Sequence, residues 1–215
     1  MFDPVDIATY IKGNLDLQAA LGFTDGVSLE IKQLARGEYN QNLVFNHPVT
    51  GQPLLFRINL GSQLHLTDQI SYEARALCLL ESSGRVPRVL YVDDSKQFHG
   101  HGILIEEFLL GRPLDYERDL AVAAEILADI HSVSVPEDHG LIAPKSPYIE
   151  ILRECEAMFD VYLQWQDADK EALLQIEYFF AQARLAIKKS SACRQRHIVN
   201  TELNSRNFLI NDGGH

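Results

Sequence analysis

Between Val27 and Val133 the hydrophobic period of the chain changes from two to near four, and this change limits the fold more than any single motif. Apolar and polar residues alternate at Val27, Leu29 and Ile31, and extended runs follow at Leu43-Val44-Phe45 and Leu54-Leu55-Phe56-Arg57-Ile58. The connector from Asn46 to Pro53 carries Pro48, Gly51 and Pro53, which suits a hairpin loop. Thr67-Asp68 can cap a helix with Ile70, Ala74, Leu77 and Leu80 on one face, ending near Ser82-Ser83-Gly84. Two more strands, Val89-Leu90-Tyr91-Val92 and Ile103 to Phe108, flank a polar turn at Asp93-Asp94-Ser95-Lys96. From Leu120 the spacing of Ala123, Ile126, Leu127 and Ile130 is helical, and residues 148–189 read as two further helices. A leading helix is expected from Asp3-Pro4, with Ile7, Tyr10, Ile11 and Leu15 on its face.

This order predicts an α+β fold. A five-stranded antiparallel sheet with one main helix forms the first lobe, and a mostly helical lobe follows. Leu109-Leu110-Gly111-Arg112-Pro113 breaks the last strand, so residues 1–108 are expected to form the first lobe and 109–215 the second.

At 215 residues, 46% of them hydrophobic, the chain can bury a sizeable core. A formal charge of -11 argues against a general nucleic-acid binder, which needs a basic stripe, but tolerates a cationic small substrate. Cys78, Cys155 and Cys193 lack ligand spacing and read as reduced core thiols. The start Met1-Phe2-Asp3-Pro4-Val5-Asp6 has no basic run before an apolar one, and no stretch reaches membrane-spanning length, so a cytoplasmic protein without membrane partners is expected. The histidines show no metal pairing, His131 suits packing or capping at a helix end, and the aromatic group around Trp165 is expected to be helix core.

Four places carry potential chemistry. Gly37-Glu38-Tyr39-Asn40-Gln41-Asn42 lies between the first two strands, where a tight turn through Gly37, Asn40 and Asn42 could bring backbone N–H groups against a phosphate; it also suits an ordinary hairpin. Arg57 interrupts an apolar strand, and Glu73 follows in the next helix, so the guanidinium can pair with the acid while touching an anion. Glu107 to Leu109 end the fifth strand and offer backbone donors and acceptors. Finally, Asn200-Thr201-Glu202-Leu203-Asn204-Ser205-Arg206-Asn207 precedes a short strand at Phe208-Leu209-Ile210. There Glu202 could orient a hydroxyl and Asn207 could hold Mg²⁺, the needs of phosphoryl transfer.

In this order the motifs resemble those of the aminoglycoside phosphotransferase and choline kinase family, whose fold is protein-kinase-like. Phe56-Arg57-Ile58-Asn59, Tyr72 to Leu77, Ile105 to Gly111 and Leu127-Ala128-Asp129-Ile130-His131-Ser132 complete the resemblance. It implies ATP and Mg²⁺ as cofactors and a small-molecule hydroxyl as acceptor. By it Arg57 is the phosphate-binding residue, Glu73 its partner, Glu107 and Leu109 the adenine-binding backbone, Glu202 the catalytic acid and Asn207 a metal ligand. The family loop reads His-x-Asp-x-x-x-x-Asn, whereas this chain has Asn200 and Glu202. The extra methylene moves the carboxylate by about an ångström, worth roughly a hundredfold in rate if nothing compensates. Family members continue into a strand with a metal-binding Asp, whereas this sequence stops at Gly213-Gly214-His215, so a helical lobe truncated after the catalytic loop is expected. A lobe of that kind would expose apolar helix faces and favour self-association. The alternative expectation is a pseudokinase or interaction module that binds nucleotide without turnover.

Overall fold

Alternation along the strands gives the central sheet two buried faces, each covered by helix. The computed structural model describes residues 2–24, 26–62, 64–189, 196–199 and 204–211. Two compact units are present, one of Met1–Leu141 with His197–His215 and one of Ile142–Arg196. The first opens with helices α1 (Pro4–Gly13) and α2 (Leu15–Leu21). Strands β1 (Ile31–Arg36), β2 (Asn40–Asn46), β3 (Pro53–Asn59), β4 (Val89–Phe98) and β5 (His101–Glu107) then form an antiparallel sheet in the order β1-β2-β3-β5-β4, with helix α3 (Gln69–Leu80) between β3 and β4. Leu43, Phe45, Leu54, Phe56, Ile58, Ile103 and Ile105 occupy one face, where Ile7 and Ile11 of α1 and Leu17 and Leu21 of α2 close the core. Residues of the other parity face α3: Leu104 packs on Ile70 and Ala74, and the register gives Asn42, Arg57 and Glu106 the same side as Leu104.

The leading segment is two helices instead of the one expected. Asn14 takes an extended conformation (φ -100°, ψ 102°) and its side chain accepts from Leu17 N at 2.9 Å, starting a new helix. Its amide also donates to the hydroxyls of Tyr10 (3.1 Å) and Tyr91 (2.9 Å), while Tyr10 donates to Asp93 at 2.6 Å. That network rewards a break, and Leu15 is left 76% exposed.

Two strand boundaries also differ. β1 starts at Ile31, while Val27 and Leu29 pack on the core outside any strand. The polar run Asp93 to Lys96 is not a turn but part of β4, irregular between Asp93 and Phe98, and the chain reverses at His99 and Gly100, both with positive φ (50° and 81°). Tyr10 and the backbone N–H of Ser71 engage Asp93 and Asp94, so acidic residues are tolerated in extended backbone.

Beyond the sheet, β6 (Arg112–Pro113) pairs with β7 (Leu209–Ile210), and α4 (Leu120–Ser132) buries Ala123 and Ile126 against Leu114 and Ile210. The short strand at Leu209 is the expected one, whereas its partner at Arg112 was expected only as a strand break. A Cβ on Gly111 would come within 3.1 Å of the Ile210 carbonyl oxygen, so glycine permits this approach. Arg112 grips Asp119 with both ends of its fork, Nη2 to Oδ1 at 2.9 Å, and Asp119 also accepts from Asp115 N at 2.8 Å. Arg85, just past α3, donates to Asp129 of α4 at 2.8 Å.

The second unit consists of α5 (Pro147–Leu163) and α6 (Lys170–Lys189). Asp169 caps α6 by accepting from Glu171 N and Ala172 N at 2.8 and 2.9 Å. Phe159 and Phe180 meet edge-on at 5.4 Å, and Arg184 donates to Glu156 at 2.9 Å. Neither helix buries a residue, and Trp165, Tyr178 and Phe179 are 57%, 59% and 64% exposed, contrary to the expected helix core. Within this unit each helix has one partner helix, which covers a single face and is too little to enclose the aromatic rings. The cysteines also differ from expectation: Cys78 lies at the edge of the buried stripe of α3 and Cys155 on α5, both exposed, while Cys193 lies outside the described residues. Among the described residues no helix is long and apolar enough to cross a membrane.

The Arg112 guanidinium holds the Asp119 carboxyl well below its usual value of 3.8. A depressed acid contributes stability above its unfolded value and loses it as pH falls through its folded one. Asp119→Asn should therefore lower the melting temperature at pH 7, and the gap from wild type should begin to narrow below about pH 4 and close only as pH falls through the folded value. Circular dichroism melts across that range check both the loss and its direction.

Candidate functional site

Arg57 stands in the middle of β3, opposite Asn42 of β2 and Leu104 of β5, on the face covered by α3. A guanidinium there cannot reach bulk water freely and must find partners. It has two. Nη1 pairs with Oε1 of Glu73 on α3, and Nη2 donates to Oε1 of Glu106 on β5 at 2.8 Å. The Arg57 and Glu73 side chains are 20% and 23% exposed and Glu106 only 2%. Two carboxylates thus share one guanidinium, leaving the cluster with surplus negative charge when both are ionised. Burial pushes the Glu106 carboxyl above its usual range; the neighbouring Glu73 charge adds to the rise and Arg57 opposes it. Three buried polar atoms, Asn42 Oδ1, Arg57 Nε and Glu106 Oε2, have no hydrogen-bond partner among the described residues. All three residues share the α3 side of the sheet.

The structure therefore brings Arg57 and Glu73 together and adds Glu106, which the motifs do not single out; the expectation for its neighbour Glu107 concerns backbone groups alone. The signal for Glu106 is parity: in Ile103-Leu104-Ile105-Glu106 the acid alternates with Leu104, so it faces inward and requires a cation.

Other expected positions fall as follows. Gly37 to Tyr39 make the exposed turn, with Gly37 N donating to Asn40 O at 2.9 Å, so this N–H is already engaged. Asn40 and Asn42 belong to β2 and not to the turn; Asn40 lies opposite Asn59, whose amide donates to Asn40 Oδ1 at 3.4 Å. Glu107 N donates to Arg88 O at 3.0 Å, and its carboxylate meets Arg88 Nε at 3.3 Å. Leu109 follows β5 with its side chain 40% exposed. Asn207 ends a 3-10 turn, Ser205–Asn207, directly before β7, its N–H donating to Asn204 O at 3.0 Å. The turn is fixed to β6 through Leu114 N to Ser205 O at 3.2 Å. Glu202 and Asn200 lie outside the described residues. His131 offers its carbonyl to His197 Nδ1 at 2.5 Å, and Asp129 of the same motif holds Arg85. Among the described residues, no cluster of three or more His, Cys, Asp or Glu could hold a metal ion.

The phosphotransferase enzyme family matches residues 30–215 of this chain. No curated protein sequence matches it. Among solved structures, a protein assigned as an aminoglycoside phosphotransferase from Ralstonia eutropha superposes with a TM-score of 0.54 at 18% identity, over 77% of this chain and 50% of that one. Choline kinase from Cryptosporidium parvum gives 0.55 at 18% identity, over 84% and 50%. Ethanolamine kinase from Plasmodium vivax gives 0.50 at 16%, over 84% and 48%. These likenesses show a shared kinase-like α+β fold, and this chain spans about half the length of each structure.

Removing Arg57 would strand the Glu106 carboxylate in the sheet beside Glu73. Arg57→Met should cost roughly 3 kcal/mol of unfolding free energy, and adding Glu106→Leu should restore most of it. Chemical denaturation of the two variants checks this; simple additivity would contradict a shared ion cluster.

Proposed function

We propose, given that this chain belongs to the phosphotransferase enzyme family, that it acts as a small-molecule kinase, moving the γ-phosphate of ATP to a hydroxyl group. The observation that carries this reading is Arg57 anchored by Glu73 on the sheet face under α3. A guanidinium held by a carboxylate is pre-oriented toward phosphate oxygens at little further entropic cost. The Arg57 side chain remains 20% exposed, so the cation can still meet an anion. The carboxamide oxygen of Asn207 is a hard ligand of the type Mg²⁺ prefers. Bound ATP with Mg²⁺ would supply the transferable phosphoryl group and neutralise charge on it.

In this reading Arg57 holds the phosphates, with Gly37, Asn40 and Asn42 along the same side, and the Glu107 to Leu109 backbone receives the base. Asn207 holds the metal. Glu202 orients the acceptor hydroxyl and takes its proton. The nucleotide side would be residues 1–108 and the acceptor side 109–215. Choline-like amino alcohols, aminoglycosides and related metabolites are the acceptor class, supported by the names of the structural neighbours and by an acidic chain of net charge -11, which attracts cations. A cytoplasmic setting fits a supply of ATP. A second reading, nucleotide binding without turnover, is favoured by Glu202 in place of the family aspartate.

Calorimetric titration of ATP with and without Mg²⁺, alongside ATP turnover over a panel of amino alcohols and aminoglycosides, tests both. The expected result is Mg²⁺-assisted binding with acceptor-dependent turnover, and at least a tenfold weaker affinity, by loss of a charge-assisted contact, in Arg57→Met combined with Glu106→Leu. Binding without turnover would select the second reading, and absence of binding would reject both.

A further inference from the structure

We infer that Glu106 sets the anion affinity of this nucleotide site by occupying the part of Arg57 that a phosphate would otherwise take. The inference rests on the reading above, in which Arg57 contacts the phosphates. Arginine binds phosphate best through two parallel N–H bonds, from Nη1 with Nη2 or from Nε with Nη2. Nη2 belongs to both forks. Here one N–H of Nη2 is held by Glu106 at 2.8 Å and one of Nη1 by Glu73, so each fork a ligand could use includes a nitrogen already bonded to a carboxylate. Nε remains, a buried donor without a partner among the described residues.

Charge acts in the same direction as geometry. Glu73 alone would balance Arg57, and the second carboxylate makes the cluster net negative when ionised. Glu106 is 2% exposed, and its Oε2 is buried with no partner among the described residues, so solvent screens it poorly. A phosphate arriving at Arg57 therefore meets a cation already compensated twice and must displace or tolerate a buried anion beside it. For holding the sheet together, replacing the whole ion cluster by apolar residues of similar volume would serve as well, since a buried ion pair is seldom more stabilising than apolar packing. The acid is thus an affinity-setting and positioning residue: it fixes the guanidinium and weakens its grip on anions.

The test compares wild type with Glu106→Gln, which keeps the shape and removes the charge, and with Glu106→Leu, which removes the polar contact. ATP, inorganic tripolyphosphate and adenosine are titrated into each at pH 8 without Mg²⁺, and melting curves verify folding. ATP and tripolyphosphate should bind roughly tenfold tighter to either folded variant, as expected for loss of one nearby buried charge, while adenosine binding stays unchanged. Equal or weaker binding of the two anions in the folded variants overturns the inference, as does failure of both variants to fold, because Glu106 would then be a structural partner. The underlying reading fails separately: if ATP binds equally to Glu106→Leu and to that variant carrying Arg57→Met, Arg57 does not hold the phosphates.

Discussion

A guanidinium placed on the inner face of a β-sheet makes demands that propagate through the surrounding structure. Arg57 cannot be left unpaired there, so α3 must dock with Glu73 facing inward and β5 must pair in the register that brings Glu106 to the same side. The apolar residues Ile70, Ala74 and Leu104 supply the adhesion that holds α3 on this face. The ion cluster supplies register, because slipping β5 by one residue would turn Glu106 toward the apolar core of Leu54, Phe56 and Ile58 and leave Arg57 half-compensated. Packing and charge therefore select the same arrangement by independent routes.

Two smaller polar networks perform comparable work elsewhere. On the opposite sheet face, Asn14 ties α1 and α2 to Tyr91, Tyr10 reaches Asp93, and Gln41 exchanges hydrogen bonds with the backbone of Phe2 at 3.1 Å in each direction. These contacts direct the leading helices over a core that hydrophobicity alone would cover in many orientations. At the β6–β7 ribbon, Arg112 and Asp119 fix the start of α4 while Gly111 lets the backbone close on Ile210. Asn207 is thus delivered by a short turn braced on both sides.

What could be read from residue order was what depends on period. The strands at Leu43, Leu54 and Ile103, the helix through Ile70 and Ala74, and the strand at Leu209 follow from apolar spacing together with the turn residues that bound each run. What could not be read depends on partners distant in sequence. Asp93 and Asp94 look like turn residues until Tyr10 and Ser71 are brought to them, and Asn14 breaks a helix because Tyr91 lies within reach, 77 positions away. The aromatic residues of α5 and α6 gave a helical period but not their exposure, since the period of a helix says where its apolar face is and not whether anything covers it.

The site shows the same division at closer range. Arg57 and Glu73 were legible because an arginine inside an apolar strand needs a carboxylate, and the next helix offers one on its inward side. Of the adjacent acids Glu106 and Glu107, the motif points only to the backbone of Glu107 and to neither side chain, whereas strand alternation turns one of the two acids toward α3, and it is Glu106. Its neighbour instead turns to Arg88 at the sheet edge, 41% exposed. Position in a motif reflects what a family needs on average, whereas side-chain parity reflects what this chain must bury. Parity is decided by the backbone and carries an energetic penalty for error, so it indicates which charged side chain shapes the interior.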